Sequence, residues 1–152
     1  LARYANNRNV SRNLRDAFPF PYRIEDAHLF IAKFTSPEHK GLVLCVDVGG
    51  EAVGAVGAHP LDDVYRRSAE IGYWLGEPFW GRGLASVAVR ALSEQAFDRM
   101  PDVVRLQASV FGWNPASARV LEKAGYEREG VLRQSVFKDG VLADAFMYAR
   151  LR

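Results

Sequence analysis

The chain has 152 residues, of which 49% are hydrophobic and 25% charged, and its formal net charge is +2. This length suits one domain of ordinary size with a substantial core, and it excludes two large domains. Modest Gly and Pro contents, together with 12% aromatic residues, exclude the collagen-like, low-complexity and highly charged disordered classes. We therefore expect residues 1–152 to form a single domain that folds alone.

Charge, cysteine content and hydropathy limit the partners of the chain. Five arginines lie between Leu1 and Ile24 against one acid, Asp16, a pattern typical of the solvated face of a helix, although an acidic partner would also suit it. The single Cys45 lies in the apolar run Leu42–Val46, so we expect a buried, inert thiol and no intrachain disulfide. No run approaches the roughly 18 to 20 apolar residues of a membrane span. We expect a cytoplasmic protein, monomeric or homodimeric, without a nucleic-acid or membrane partner.

The predicted elements begin with helices and change to strands after the first quarter of the chain. Spaced apolar positions over residues 1–16 predict a helix, and a turn-rich, proline-containing segment ends it. A three-and-four apolar spacing predicts a second helix over Ile24–Phe34. Two strands follow, 41–48 and 51–59, and Gly49-Gly50 between them permits the positive φ angles of a tight hairpin.

Residues 68–75 form a third predicted strand with strict alternation. Alternation places Glu70 and Trp74 on one face and Ile71 and Tyr73 on the other. Ser68 and Gly72 belong to the face of Glu70 and Trp74, and Ala69 and Leu75 belong to the face of Ile71 and Tyr73.

The second half alternates helices and strands. We predict a helix over 83–99, a strand over 103–111, a helix over 114–125, and two strands over 130–137 and 141–150 joined by an Asp-Gly hairpin turn. The order α-α-β-β-β-α-β-α-β-β predicts a mixed α/β layer fold. Its strand–helix–strand passage implies a right-handed crossover and at least one pair of parallel neighbours.

The segment Leu75–Ala85 joins the third strand to the long middle helix. Gly81 and Gly83 allow a sharp turn at the helix start, where free N–H groups and the helix dipole attract an anion, and Arg82 adds a positive charge. A phosphate or pyrophosphate ligand is a reasonable inference. The Gly-Lys-Ser/Thr ending of a P-loop and the third glycine of a dinucleotide fingerprint are absent, and a plain strand–turn–helix with glycines for steric reasons also explains the segment.

A second segment, Val110–Tyr126, is compatible with a structural reading. Asn114 suits the N-cap of a helix and Ser117 its first turn. The spacing by itself does not separate this reading from a binding role.

Together the two segments resemble a known family. Trp80-Gly81-Arg82-Gly83-Leu84-Ala85 resembles the acetyl-CoA signature Gln/Arg-x-x-Gly-x-Gly/Ala of the GNAT superfamily of N-acetyltransferases, and Asn114-x-x-Ser117 with Leu121–Tyr126 resembles its next motif. The segments Arg12–Leu14, Phe18–Tyr22, Glu25–Ala27 and Ala69–Leu75 are similar to the Rim-type branch, which acetylates the N-termini of ribosomal proteins. The similarity extends from about residue 3 to residue 150.

The chain departs from the family pattern at three points. Trp80 stands where Gln or Arg is usual, so phosphate binding would depend on backbone donors and Arg82. Leu121 stands where several relatives carry a catalytic tyrosine. The usual first strand is missing, and because the sequence begins at Leu1 rather than Met we expect a preceding segment.

The resemblance implies a GNAT-like mixed, mostly antiparallel sheet with a splayed pair of parallel strands, 68–75 and 103–111, flanked by helices on both faces. It implies acetyl-CoA as the acetyl donor and CoA as a product. The pyrophosphate would lie on the loop, and the pantetheine arm would bond backbone groups that the splay leaves free. The implied cofactor-binding residues are Tyr73, Trp74, Leu75, Trp80, Gly81, Arg82, Gly83, Leu84, Ala85, Ser86, Asn114 and Ser117.

The resemblance also implies catalytic roles. Attack of a neutral amine on the thioester needs a base, a donor for the oxyanion and a donor for the leaving thiolate. We expect Glu70 to be the base, the backbone N–H near Leu75 to bind the oxyanion, and Ser117 to donate to the thiolate. A structural carboxylate at Glu70 and a purely CoA-binding Ser117 are the alternatives, and positioning alone can supply much of the acceleration.

The acceptor would be a primary amine, either a protein N-terminus or a small molecule. Phe18, Phe20, Tyr22 and Trp113 are the expected substrate-binding residues, with core packing as their alternative. Asp144 suits either an acceptor amine or a structural bond to a loop. The histidines have no metal-ligand spacing and no metal is expected. A catalytically idle acyl-CoA-binding module and an Arg-rich nucleic-acid binder are the competing function classes.

Overall fold

The computed structural model describes residues 1–152, in which six strands form one sheet in the order β1-β2-β3-β4-β6-β5. Helices pack on both faces of the sheet, so the mixed α/β fold is confirmed. The strands are β1 (Leu42–Val48), β2 (Glu51–Pro60), β3 (Ser68–Leu75), β4 (Arg105–Phe111), β5 (Glu127–Lys138) and β6 (Val141–Leu151). The helices are α1 (Ala2–Ala5), α2 (Arg8–Ser11), α3 (Ile24–Thr35), α4 (Leu84–Arg99) and α5 (Pro115–Lys123).

The N-terminal region differs from the sequence prediction. A single helix over residues 1–16 is wrong, because the chain forms the two short helices α1 and α2 and then a turn. Asn7 has an extended backbone, with φ −142°, and its side chain accepts the Asn9 N–H at 2.7 Å. A short polar side chain that bonds the local backbone ends one helix and starts the next.

The main core lies between the sheet and the pair α4 and α5. It contains Leu92 and Leu106, both fully buried, together with residues of β2, β3 and α5. A smaller cluster of Ala5, Tyr22 and Ala27 lies on the opposite face and packs against Trp74 of β3. The two faces of β3 therefore pack against different clusters.

Cys45 is exposed, so the expectation of a buried thiol is wrong. The run Leu42–Val46 is the edge strand β1, and alternation directs Leu42, Leu44 and Val46 toward the core. Cys45 points to the opposite face of this edge strand. An apolar run predicts a strand, but it does not predict how much of each face a helix covers.

The strands β3 and β4 form the feature that positions the site. They are parallel neighbours joined by the crossover helix α4, as predicted, but they pair only where Ser68–Glu70 lie opposite Arg105–Gln107. β2 pairs with β3 as far as Leu75, and β6 pairs with β4 as far as Phe111. The two strands diverge beyond Glu70 and Gln107 and leave an open seam in the middle of the sheet. No helix in the chain is long and apolar enough to cross a membrane.

Candidate acyl-transfer site

Alternate backbone groups of β3 face the open seam. Two hydrogen bonds identify the bonded pairs of the β2–β3 ladder. The Gly76 N–H donates to the Val53 carbonyl at 2.8 Å, and the Leu61 N–H donates to the Ser68 carbonyl at 2.9 Å. Because bonded pairs alternate along antiparallel strands, even-numbered residues of β3 bond to β2. Tyr73 and Leu75 consequently direct their N–H and C=O groups into the seam.

Trp74 does not share this orientation. It lies opposite Ala55 in a hydrogen-bonded pair, so its backbone groups are directed toward β2. The expectation that the splay leaves the Trp74 backbone unpaired in the sheet is therefore wrong. Its indole remains at the site as part of the wall on the opposite face.

The other edge of the seam comes from β4. The Gly112 N–H donates to the backbone carbonyl of Asp144 at 2.8 Å. This bond shows that the even-numbered residues of β4 belong to the ladder with β6. Ser109 and Phe111 therefore face the seam, and the Phe111 carbonyl accepts the Asn114 N–H at 2.8 Å. Sequence reasoning did not identify these backbone groups, because the phase of the hydrogen bonds depends on the register between β4 and β6.

Trp80 occupies an unexpected position. Its indole Nε1 donates to the Leu75 carbonyl at 2.6 Å, which links the end of β3 to the loop before α4. The Leu75 carbonyl is thereby satisfied, while the Leu75 N–H still faces the seam. The residue that replaces the family's Gln or Arg thus supports the strand end.

The start of α4 has the features of an anion site. Gly81 and Gly83 have φ angles of +74° and +77°, and Gly83 is the N-cap in the left-handed region. No side chain caps this 16-residue helix, and its first helical bond runs from the Val87 N–H to the Gly83 carbonyl at 3.2 Å. The N–H groups of the first turn, residues 84–86, are therefore free for a ligand.

A cavity of about 300 Å³ lies in front of this helix end. Tyr73 and Leu75 line it on one side, and the first turns of α4 and α5 line it on the other. Arg119 and Lys123 add positive charge to its wall. Arg82 is exposed, and its guanidinium lies 5.7 Å from the centre of the Phe79 ring, outside the cavity lining. The expected cofactor residues that line the cavity are Tyr73, Trp74, Leu75, Trp80, Gly81, Gly83, Leu84, Ala85, Ser86, Asn114 and Ser117.

A second cavity of about 680 Å³ lies on the opposite face of the sheet. Phe18 and Tyr22, two of the four residues that the sequence analysis assigns to the acceptor, line it. Phe20 is 47% exposed and lies outside both cavities. Trp113 also lies outside them, because it packs on Phe111 and its Nε1 donates to Asn13 at 3.2 Å. The two cavities meet at the seam and share only Asn13, Leu14, Tyr73, Trp74 and Ser117.

Glu70 lies in the second cavity where the seam begins. Its carboxylate forms an ion pair with Arg15 of the N-terminal segment. On the neighbouring strand β2, His59 lies opposite Glu70. Burial lowers the pKa of His59, and the positive charges of His39 and Lys33 lower it further, whereas Glu70 raises it. Glu70 thus borders the second cavity, and it also has the structural partner that the alternative reading requires.

Asn114 and Ser117 both lie at the start of α5. Asn114 is the N-cap, and its Oδ1 accepts the Ser117 N–H at 3.1 Å, so its side-chain amide donors are left for a ligand. The Ser117 Oγ lies 2.6 Å from the hydroxyl of Tyr73. Burial raises the pKa of Tyr73, which stays a neutral phenol. Sequence reasoning expected only backbone contacts from Tyr73.

Asp144 has a structural bond. Its Oδ1 accepts the Gln134 N–H at 2.8 Å, where β5 bulges opposite β6 and Gln134 has a φ angle of +52°. The carboxylate stabilises this bulge. The chain contains no group of three or more His, Cys, Asp or Glu side chains that could hold a metal ion.

A family model and individual relatives both indicate that the chain is similar to acetyltransferases. The family described as an acetyltransferase (GNAT) domain matches residues 1–127. The chain is 37% identical over 99 residues to the uncharacterized N-acetyltransferase YoaA of Bacillus subtilis, covering 65% of this chain and 55% of the relative. It is 31% identical over 101 residues to the ribosomal-protein-serine acetyltransferase of Escherichia coli, covering 66% and 55%.

A solved structure has the same fold over the whole chain. The microcin C7 self immunity acetyltransferase MccE, in complex with acetyl-CoA and AMP, superposes with a TM-score of 0.81 at 24% identity, covering 100% of this chain and 89% of that one. The alignments to the curated relatives cover little more than half of the relatives' own length.

Proposed function

Because the chain belongs to the GNAT family of acetyltransferases, we propose that it is an N-acetyltransferase that transfers the acetyl group of acetyl-CoA to a primary amine and releases CoA. The observation that carries this proposal is the open seam between β3 and β4. It joins a cavity at an uncapped helix start to a second cavity on the other face. A long donor can enter from one side and an amine from the other.

The chain's own groups suit the parts of acetyl-CoA. The free N–H groups at residues 84–86, next to Gly83, would bind the pyrophosphate, because a helix start favours anions. Arg119 and Lys123 would balance the remaining phosphate charge. The Asn114 amide and the seam-facing Tyr73 backbone would bond the amides of the pantetheine arm. When bound, acetyl-CoA supplies an activated thioester.

Three chain groups would assist the transfer. The Leu75 N–H would donate to the thioester carbonyl, where negative charge develops as the amine attacks. Glu70 would take a proton from the incoming ammonium, directly or through a water, since it borders the acceptor cavity at the start of the seam. Ser117 would donate to the departing sulfur. Placing both reactants at one junction supplies much of the rate enhancement.

The acceptor is either a protein N-terminus or a small amine. One relative is named as a ribosomal-protein-serine acetyltransferase and another as an L-amino acid N-acetyltransferase, so a protein acceptor and a small-molecule acceptor are both represented. The acceptor cavity of about 680 Å³, lined by Phe18 and Tyr22, has room for an extended peptide end. We favour the protein N-terminus, in line with the Rim-type resemblance.

Calorimetry and a turnover assay test this proposal. The purified chain should bind acetyl-CoA, and it should release free thiol with at least one member of a panel of N-terminal peptides, amino acids and polyamines. Binding of acetyl-CoA without turnover on any amine would instead support an idle acyl-CoA-binding module, a reading encouraged by Trp80 and Leu121. Absence of acetyl-CoA binding would overturn both readings.

A further inference from the structure

Two hydroxyl groups meet where the cavities join. Among the five residues that both cavities share, only Tyr73 and Ser117 carry a hydroxyl. Their oxygens lie 2.6 Å apart, and the Tyr73 Oη also lies 3.1 Å from the Ser117 carbonyl oxygen. Tyr73 comes from β3 and Ser117 from the first turn of α5, so the pair bridges the open seam.

The reacting sulfur must pass close to this pair. The pantetheine arm enters from the cavity at α4 and the amine from the cavity at Glu70, so the thioester has to lie at their junction. One helical turn beyond Ser117, the side chain of Leu121 is fully buried and apolar. Helix α5 therefore offers Ser117, and no second hydroxyl at position 121, to the sulfur.

We propose, on the premise of the proposed acetyltransferase function, that Tyr73 is a positioning residue whose hydroxyl donates to Ser117 Oγ and thereby directs the Ser117 hydroxyl at the CoA sulfur. With the site empty, either hydroxyl can be the donor of the Tyr73–Ser117 pair, because the Tyr73 hydroxyl can also donate to the Ser117 carbonyl oxygen. A negatively charged sulfur favours the arrangement in which Tyr73 donates to Ser117 Oγ and Ser117 donates to the sulfur. Hydrogen bonds to a charged acceptor are about twice as strong as neutral ones.

In this reaction Tyr73 donates a hydrogen bond and transfers no proton. As the new N–C bond forms and the C–S bond breaks, the electron pair of the C–S bond goes to sulfur. Glu70 passes the proton that it took from the ammonium to solvent, and the surplus proton on nitrogen then leaves to solvent as well. Burial raises the pKa of Tyr73, so the phenol keeps its proton while it supports Ser117. The CoA thiolate takes its proton from solvent after release.

The chain contains a matched control for this pair. Tyr126 and Ser93 of α4 form a second tyrosine–serine contact, which is buried in the core, with 2.7 Å between their oxygens. Neither residue lines a cavity at the seam. Tyr126→Phe removes the same kind of hydrogen bond as Tyr73→Phe and reports the purely structural cost.

A double-mutant cycle measures whether Tyr73 acts through Ser117. Tyr73→Phe should lower kcat about tenfold while the KM for acetyl-CoA changes by less than about twofold, since only a donor to the leaving group is weakened. Ser117→Ala should lower kcat at least as much, and the double variant should be no slower than Ser117→Ala alone. Tyr126→Phe should leave kcat unchanged. Multiplied losses in the double variant, or an unchanged kcat in Tyr73→Phe, would overturn the proposal.

A binding measurement tests the pair without any acceptor. The thiol of bound CoA can be titrated by the ultraviolet absorbance of its thiolate. Tyr73→Phe should raise the pKa of that thiol by roughly half a unit or more, because the hydrogen bond from Ser117 to the thiolate is weakened. Tyr126→Phe should leave the pKa of the thiol unchanged. Equal values in all three proteins would reject the Tyr73 role. If the wild type binds CoA but acetylates no amine, the enzyme assignment fails while this titration still judges the pair.

Discussion

The indole Nε1 of Trp80 donates a hydrogen bond of 2.6 Å to the carbonyl oxygen of Leu75, five residues earlier in the chain. This bond closes the turn between β3 and the loop that leads into α4. It satisfies the last seam-facing carbonyl of β3 and leaves the neighbouring N–H as a free donor. A tryptophan in the place of the family's Gln or Arg thus has a structural use at the cofactor end of the seam.

Trp80→Phe should weaken the binding of acetyl-CoA. The variant keeps a smaller aromatic ring, but the Leu75 carbonyl loses its donor and the strand end is no longer held to the loop. A neutral hydrogen bond of about 1 kcal/mol corresponds to roughly a fivefold change in an equilibrium constant. The dissociation constant from calorimetry should rise by about that factor. An unchanged constant would show that the bond does not position the loop.

Gly83→Ala should reduce acetyl-CoA affinity far more than it reduces stability. Gly83 has a φ angle of +77°, so alanine there is strained by about 1 kcal/mol, and its methyl group would stand at the helix start where the pyrophosphate has to approach. Gly50→Ala is the matched control, because Gly50 has a φ angle of +84° in the β1–β2 hairpin, away from the site.

Both glycine variants should show a similar fall in Tm, and only Gly83→Ala should lose most of its affinity in calorimetry. Gly83→Val should lower the affinity for acetyl-CoA further than Gly83→Ala does. Equal affinities of the Gly83→Ala and Gly50→Ala proteins would refute the assignment of this loop to the phosphates.

Glu70→Gln should lower turnover most at low pH, where the amine acceptor is most protonated and a base matters most. The Glu70–Arg15 pair is largely exposed on the Arg15 side, at 67%, so breaking it should change the free energy of unfolding by less than about 1 kcal/mol. Arg15→Gln breaks the same ion pair and keeps the carboxylate. The pH profile of kcat/KM should therefore change in Glu70→Gln and keep its shape in Arg15→Gln. Matching losses in the two variants at every pH would assign Glu70 to the ion pair alone.

His59 should make the stability of the protein depend on pH. Its pKa is lowered in the folded state by burial first, and then by His39 and Lys33, so the unfolded chain binds a proton below about pH 6.5 that the folded chain rejects. Stability should therefore fall as the pH drops below that value. His59→Gln should flatten this dependence, whereas substitution of the exposed His28 by Gln should not.

Urea unfolding at about pH 7.5 and about pH 5.5 measures this difference directly. The wild type and His28→Gln should lose more stability between the two conditions than His59→Gln does. Parallel losses in all three proteins would show that another group sets the acid sensitivity.

Local chemistry predicted most of the elements. β3 is confirmed residue for residue at Ser68–Leu75, because its alternation is strict. The Asn114 cap and the Gly83 helix start follow from capping rules. Residues 1–16 were harder to predict, because the competition between helix and Asn7 side-chain bonding is decided by a single local hydrogen bond.

The details of the site needed the three-dimensional structure. Alternation shows which side chains share a face, but the phase of the hydrogen bonds, which separates Trp74 from Tyr73 and Leu75, depends on the register with β2. The Tyr73–Ser117 contact joins residues 44 positions apart. No spacing rule within the chain predicts a pair that forms only when two elements pack across a seam.

Amide hydrogen exchange, followed residue by residue with and without CoA, tests the central claim most directly. The claim is that a ligand arm bonds the free backbone groups inside the split sheet. CoA should slow the exchange of the Tyr73 and Leu75 N–H groups and leave that of Trp74, already paired with Ala55, nearly unchanged. Equal protection of all three, or protection of none with CoA bound elsewhere, would contradict the account.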